Sequence, residues 1–331
     1  MNTMTTMIQR RRILGALGAA PLAAASLPAW AQGYPARPIK IVVPLPPGSP
    51  PDVLARLVAE RLQEAWKQPV IVDNRPGATG MIGMDAVAKA APDGYTVGVM
   101  FLTHTVLPAL FGKVPYDTSA DFVPIANLVW LYNVLVVPPS VPARSAKELV
   151  ELARTQPGKL TYGSGGNGSP AHLLGESFRQ LAKVDMLHVP FKGPSEAVQA
   201  LLGGYVSAMF ATTSVAVPLV NAGKLRAVAV TSPTRLTALP SVPTMAESGI
   251  AGFDMKEWEG IVAPAGTPRD IIAKWNHELT SIMQLPQIRD RLSELGMEAA
   301  GTNSPDQFTA LVRSELQRWT QFVKTTGLKA D

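Results

Sequence analysis

One local pattern occurs twice in this chain, and the repeat limits the fold more than any other feature does. From Ile39, IKIVVP is β-rich, LPPGSPPD is a loop, and Val53, Leu54, Leu57, Val58, Leu62 and Trp66 recur at helical spacing. PVIVDNRPGATG then adds a strand and a turn, MIGMDAVAKAAPDG a short helix, and YTVGVMF a third strand. The order returns further on: KLTYGS, the loop GGNGSPAH, a helix carrying Leu173, Leu174, Phe178 and Leu181, then DMLHVPFKG, a helix at PSEAVQALLGG, and YVSAMF. Each copy reads as a βαβαβ unit, which predicts an α/β chain with two similar, doubly wound domains.

Both copies carry the tripeptide Gly-Ser-Pro between first strand and first helix, at Gly48-Ser49-Pro50 and Gly168-Ser169-Pro170. Ser49 and Ser169 suit the N-cap, with the hydroxyl accepting a free helix N–H, and the prolines suit the first helical position. Ligands of open α/β sheets bind beyond the carboxyl ends of the strands, where such loops and the positive ends of helices gather. An anion clamped between the two units is the expected guest. Taken singly, each loop is also explained as an ordinary helix start, since Thr267-Pro268 and Ser304-Pro305 are expected to open C-terminal helices the same way. The pairing favours the clamp.

Segments IANLVWLYNVLVVP, LRAVAVTS and MKEWEGIVAP are β-rich and suited to crossing between the units as hinge strands. An apolar stripe of Phe308, Leu311, Val312, Leu316, Trp319 and Val323 predicts a C-terminal helix, N-capped by Ser304, that packs back on the first unit. The predicted organisation is an export segment at 1–31, a first lobe at 32–132 and 255–331, and a second lobe at 133–254.

Arg10, Arg11 and Arg12 precede an apolar stretch from Ile13 to Leu27 that ends at Ala29-Trp30-Ala31, the pattern of a removed export signal cleaved after Ala31. The arginines fit a twin-arginine signal as well as an ordinary secretory one. Their removal takes the formal charge from +5 to +2, so the basic balance belongs partly to the signal. The remaining basic residues are interspersed with acids, which speaks against nucleic acid as a partner. With 0 cysteines the fold does without disulfides and must rest on buried cores, for which 47% hydrophobic residues suffice.

The string Gly163-Ser164-Gly165-Gly166-Asn167-Gly168 matches GxGxxG, with Asp185 near the place of a ribose-binding acid; this is the rival reading, an exported dinucleotide-dependent oxidoreductase. Against it, the helix begins after the last glycine, whereas fingerprint glycines straddle the helix start. Ser164 lacks the glycine a nucleophile elbow needs, because Tyr162 holds that position. His104, His172, His188 and His277 show no metal-ligand spacing, so no metal and no cofactor is expected. His172, in the first turn of its helix, points either into the cleft or along the cap; Lys192 is an anion-attracting or plain surface lysine, and Phe191 is a candidate pocket wall. A structural or adhesive protein would need stalk-like composition or an anchor, neither of which is visible.

Beyond these patterns stand Pro44 through Asp52 with Ala55-Arg56, Asn74-Arg75-Pro76-Gly77-Ala78, Pro92-Asp93-Gly94-Tyr95-Thr96 and Val189-Pro190-Phe191-Lys192-Gly193. Val242-Pro243-Thr244 with Glu247, Trp258-x-Gly260 and Ala263-Pro264-Ala265-Gly266-Thr267-Pro268 continue the series. In these ordered motifs, from Tyr34 to the C-terminus, the chain resembles the solute receptors of tripartite tricarboxylate transporters, the Bug family. The resemblance implies a two-lobed, type II-like Venus-flytrap receptor with hinge strands, a non-enzymatic monomer of the periplasm that delivers a small di-, tri- or aromatic carboxylate to membrane transporter subunits. Carried over by position, it implies ligand contacts at Leu45, Pro46, Gly48 and Ser49, at Gly77 and Ala78, and at Thr103 and His104. In the second lobe it implies Ser164, Gly165, Asn167, Gly168 and Ser169 with His172, then Phe191, Lys192 and Gly193, and the strand residue Ser207.

Leu45, Ser49 and Ser207 depart from the usual family pattern of an aromatic, a glycine and an aspartate. With no acid at Ser207 to pair a buried ammonium, the expected ligand lacks an amino group.

Overall fold

A computed structural model describes residues 33–253 and 255–328. The predicted export segment and the cleavage site expected after Ala31 lie outside the described residues. From Arg37 onward the chain forms one compact unit. Its elements in order are β1 (Ile39–Val43), α1 (Pro50–Trp66), β2 (Val70–Asn74), α2 (Met81–Ala88), β3 (Thr96–Phe101) and α3 (Thr103–Phe111). Then come β4 (Phe122–Leu131), β5 (Asn133–Val137), α4 (Ala146–Thr155), β6 (Thr161–Ser164), α5 (Pro170–Ala182), β7 (Leu187–Pro190) and α6 (Pro194–Leu202). The chain finishes with β8 (Ala208–Thr212), α7 (Thr213–Asn221), β9 (Arg226–Val230), β10 (Glu257–Pro264), α8 (Arg269–Gln284), α9 (Pro286–Glu294), β11 (Met297–Ala299) and α10 (Pro305–Thr326).

The strands form two sheets, in the orders β11-β4-β10-β3-β1-β2 and β7-β6-β8-β5-β9. The repeated unit is visible in both: β1 lies between β2 and β3, parallel to each, and β6 lies between β7 and β8, parallel to each. Parallel pairing demands helical crossovers, and helices on both faces demand strands that are apolar on both sides. β5 shows the result. Leu135 and Val137 join the core that holds Leu173, Leu174 and Phe178 of α5, while Val134 and Val136 join the one that holds Ala197 and Leu201 of α6.

Two stretches pass between the sheets. At the first, β4 ends at Leu131 in one sheet, β5 begins at Asn133 in the other, and Tyr132 is the single residue between; the second runs from Val230 to Glu257. The predicted run IANLVWLYNVLVVP is therefore two strands with a crossing inside it. Hydrogen bonds tie the crossings together: Asn133 N–H donates to Thr231 Oγ1 at 2.8 Å, Thr231 N–H to the Asn133 carbonyl at 2.9 Å, and Asn133 Nδ2 to Glu257.

The C-terminal helix α10 starts with a full capping box between Ser304 and Gln307 and packs on α3 and β4. Thr267 does not cap α8, whose N-cap is Pro268; its hydroxyl donates to the Pro264 carbonyl at 2.7 Å and closes the preceding turn instead.

Candidate functional site

Parallel β1, β2 and β3 all end at one edge of their sheet. Antiparallel β10 begins at that same edge, with Glu259 in register with Phe101. In the second sheet the ends of β6 and β7 are likewise adjacent, Ser164 beside Pro190. Such carboxyl edges are where α/β proteins hold ligands, and both Gly-Ser-Pro loops lie there.

The two loops share a construction the sequence hides. Gly48 and Gly168 adopt left-handed backbone, φ 80° and 77°. Four residues on, in the first turn of the helix, a side chain reaches back to the glycine N–H: Asp52 Oδ2 accepts from Gly48 at 2.8 Å, and His172 Nδ1 accepts from Gly168 at 3.0 Å. Ser49 and Ser169 do occupy the N-caps, but neither hydroxyl accepts a helix N–H. Ser49 Oγ donates to the Pro46 carbonyl at 2.7 Å, and Ser169 Oγ is buried without a hydrogen-bond partner. The tether took the cap's place.

Behind the first loop, Asp52 also accepts from Arg56 Nε at 3.0 Å and from Asn74 Nδ2 at 2.9 Å, and Asn74 Nδ2 lies 3.1 Å from the Leu45 carbonyl. Burial opposes ionisation of Asp52, but the hydrogen bonds from Arg56, Gly48 and Asn74 outweigh it and hold the carboxyl below its ordinary range. Behind the second loop, the His172 ring stacks on His188 with centroids 3.8 Å apart, and His188 Nε2 is 2.6 Å from Ser164 Oγ. Ser164 is fully buried, and its Oγ also accepts the Gly166 N–H at 3.1 Å, so this serine–histidine pair braces a loop.

His172 is 2% exposed, and burial, with the Arg179 charge, pushes its pKa down to about 4. Its folded value lies below the unfolded one, so its contribution to stability is complete above about pH 6.5 and is lost as pH falls through about 4. We expect the stability advantage of wild type over His172→Asn to shrink across that window, as read by urea titrations at several pH values. A constant difference would show that the imidazole is not held neutral.

A third loop follows β2. Gly77, Ala78, Thr79 and Gly80 all have positive φ, at 130°, 48°, 54° and 93°. Two consecutive non-glycine residues in this region store strain of the kind found where backbone is shaped for function. A Cβ on Gly80 would stand 2.8 Å from His104 Nε2, so the glycine makes room for the histidine. His104 is fully buried; its Nδ1 accepts the Phe101 N–H at 3.1 Å, and burial pushes its pKa down to about 3. Neither His104 Nε2 nor Thr103 Oγ1 has a hydrogen-bond partner.

The structure thus gathers Leu45, Pro46, Gly48, Ser49, Gly77, Ala78, Thr103 and His104 at the carboxyl edge of the first sheet. Ser164, Gly165, Asn167, Gly168, Ser169, Phe191, Lys192 and Gly193 gather at that of the second. Gly168 also meets the other lobe, since a Cβ there would lie 2.9 Å from Leu110 of α3. Lys192 is exposed, and Phe191 packs against the second core. Ser207 is a correction. Its N–H donates to Thr161 Oγ1 at 3.1 Å, and Thr161 opens β6, so Ser207 sits at the amino edge, away from the loops. Parallel strands put amino and carboxyl ends at opposite edges, and the exclusion of amino-bearing ligands drawn from Ser207 loses its footing. Asp52 and Asn74, which brace the first loop, lie outside the set the sequence points to, though an acid four residues after a loop glycine is a usable signal.

The dinucleotide reading also fails on geometry. All the fingerprint glycines precede the Ser169 N-cap. A Cβ on Gly165 would lie 2.9 Å from the Pro194 nitrogen, so its glycine serves packing against the turn before α6. Asp185 precedes β7, at the wrong edge for a ribose.

Two α/β lobes, joined by two crossings and carrying matched loops at their carboxyl edges, define the periplasmic solute-binding class. The chain belongs to the tripartite tricarboxylate transporter family receptors, whose family model matches residues 54–328. Protein BugT of Bordetella pertussis is 37% identical over 307 residues, 91% of this chain and 93% of that one. Among solved structures, an R. palustris protein with adipate is 34% identical with TM-score 0.82, covering 89% of this chain and 98% of that one. MatC from Rhodopseudomonas palustris with bound malate is 33% identical with TM-score 0.78, covering 88% and 100%.

Proposed function

We propose that this chain is a receptor, not an enzyme, that captures a small organic carboxylate between the carboxyl edges of its lobes. It hands the ligand to a membrane transporter from the periplasm and works as a monomer. The chain passes between the lobes at Tyr132 and again between β9 and β10, and closure around the ligand is favoured by contacts that only the closed form makes. The observation that carries the reading is the set of buried polar atoms without partners at these edges: Thr103 Oγ1, His104 Nε2 and Ser169 Oγ. Buried donors are nearly always satisfied, and three orphans beside ligand-type loops ask for a polar guest. His104 Nδ1 is occupied as an acceptor, so Nε2 bears the proton and offers it to an anion. The adipate and malate carried by two relatives supply the chemical class.

Thermal melting of the mature protein with adipate, malate and NAD tests the reading. At a ligand excess of 100 times Kd the gain is about 2.7 kcal/mol, which at about 2 °C per kcal/mol for a chain this size is a rise of roughly 5 °C. Stabilisation by NAD with none from any carboxylate would return the protein to the oxidoreductase class.

A further inference from the structure

Two acids on β10 have no part in the loops described so far. Glu257 and Glu259 alternate with Trp258, which packs edge-on against Phe308 of α10, so both carboxyls face away from α10. Glu259 is 5% exposed, stands in register with Phe101 and Val129, and its Oε2 is buried with no hydrogen-bond partner. Leu102 N–H donates to the Trp258 carbonyl at 3.3 Å where β3 gives way to α3, and Thr103, with its own orphan hydroxyl, opens that helix two residues after Phe101. Asn133, the first residue past the hinge, donates to Glu257 but leaves Glu259 unserved.

Charged groups offer Glu259 no relief. Phe101 and Val129 are its neutral neighbours on β3 and β4, and Glu257 on its own strand is of like charge. His104, which follows β3, is neutral, and α2, which touches β10, packs its Met84 and Val87 into the core of Trp258 and Phe308, on the face opposite the two acids. Among the described residues no cation makes an ion pair with either acid. Burial raises Glu257 to about 7, and burial together with Glu257 holds Glu259 well above its ordinary value. A carboxyl so placed keeps its proton, and a protonated carboxyl is a hydrogen-bond donor.

We propose that the Glu259 carboxyl, buried at the carboxyl edge of the first sheet with no partner on its Oε2, donates a proton in a hydrogen bond to the bound carboxylate and makes capture of the ligand depend on that proton. The inference rests on the carboxylate-receptor reading. The donor is present below the pKa of Glu259 and absent above it, where the ionised group would repel the ligand, so affinity falls as pH rises.

Calorimetric titration of adipate and malate into wild type, Glu259→Gln and Glu259→Ala, from about pH 6 up to the alkaline limit at which the protein stays folded, tests it. Wild type should lose affinity on the alkaline side by about tenfold per pH unit once Glu259 titrates, with one proton taken up on binding there. Glu259→Gln keeps an N–H donor and should bind with a flat profile, while Glu259→Ala should bind about tenfold more weakly at low pH, the worth of a hydrogen bond to a charged group. The wild-type profile needs no variant to fold, and melting curves show whether the variants do. A wild type that binds either acid with a flat profile, or affinity for an amino-bearing acid that rises with pH and releases a proton, would overturn the role of Glu259 and leave the receptor reading standing. If wild type binds no carboxylate at any pH, both fall.

Discussion

Asp52→Ala is expected to lower folding stability by about 2–3 kcal/mol and to weaken adipate binding about tenfold. One carboxylate ties three elements: the Gly48 N–H of the first loop, Arg56 one helical turn on, and Asn74 at the end of β2. Truncation leaves the Gly48 N–H and the Asn74 amide short of a partner, and the loop loses the tether that holds its left-handed turn. Arg56 is half-exposed and rehydrates, so most of the cost lies in the broken hydrogen bonds and not in a stranded charge. Asp52→Asn keeps an acceptor for Gly48 and should cost about 1 kcal/mol less. Because the folded carboxyl is held below its unfolded value of 3.8, its contribution is present above that pH and is lost as pH falls through the lower, folded value. Urea unfolding, with the midpoint shifted at constant m, measures the first effect, and calorimetry the second. An alanine variant within about 0.5 kcal/mol of wild type would show that the tether is incidental.

A larger loss is expected at the hinge strand. Gly260→Ala would place a methyl 2.4 Å from Phe308 Cζ and 2.5 Å from the Ala126 carbonyl oxygen. Neither neighbour has room to give: Phe308 is wedged edge-on against Trp258, with ring centroids 5.4 Å apart, and Ala126 is a buried member of β4, hydrogen-bonded to β10. Overpacking against fixed backbone costs about 3 kcal/mol, a fall in melting temperature of roughly 6 °C. Gly193→Ala is the matched control, because nothing lies within 4 Å of the added methyl. If the two variants melt alike, close packing is not what keeps position 260 a glycine.

Legibility in the sequence followed the range of the interaction. The duplicated βαβαβ pattern, the helix starts at the two Gly-Ser-Pro loops and the Ser304 cap rest on preferences of near neighbours, and alternation, turn residues and cap residues encode them directly. The caps at Ser49 and Ser169 were placed correctly but given the wrong bond, because which side chain reaches the loop glycine depends on how Asn74, Arg56 and His188 crowd the helix start. Ser207 was misplaced for a plainer reason: a strand's residues do not state which end faces the ligand until the strand's direction in the sheet is known. Trp258-x-Gly260 stood out as a motif, yet nothing local explains it.

The amino-acid sequence by itself determined two α/β units with matched loops, since periodicity and backbone preference act over a few residues and were repeated intact. Only the tertiary structure decided which polar groups those loops leave without partners, which acids are buried together at the hinge, and which residues share an edge. Desolvation and hydrogen-bond satisfaction depend on everything that surrounds a group, and in this chain the surroundings of Glu259, His172 and Thr103 come from segments far apart in sequence.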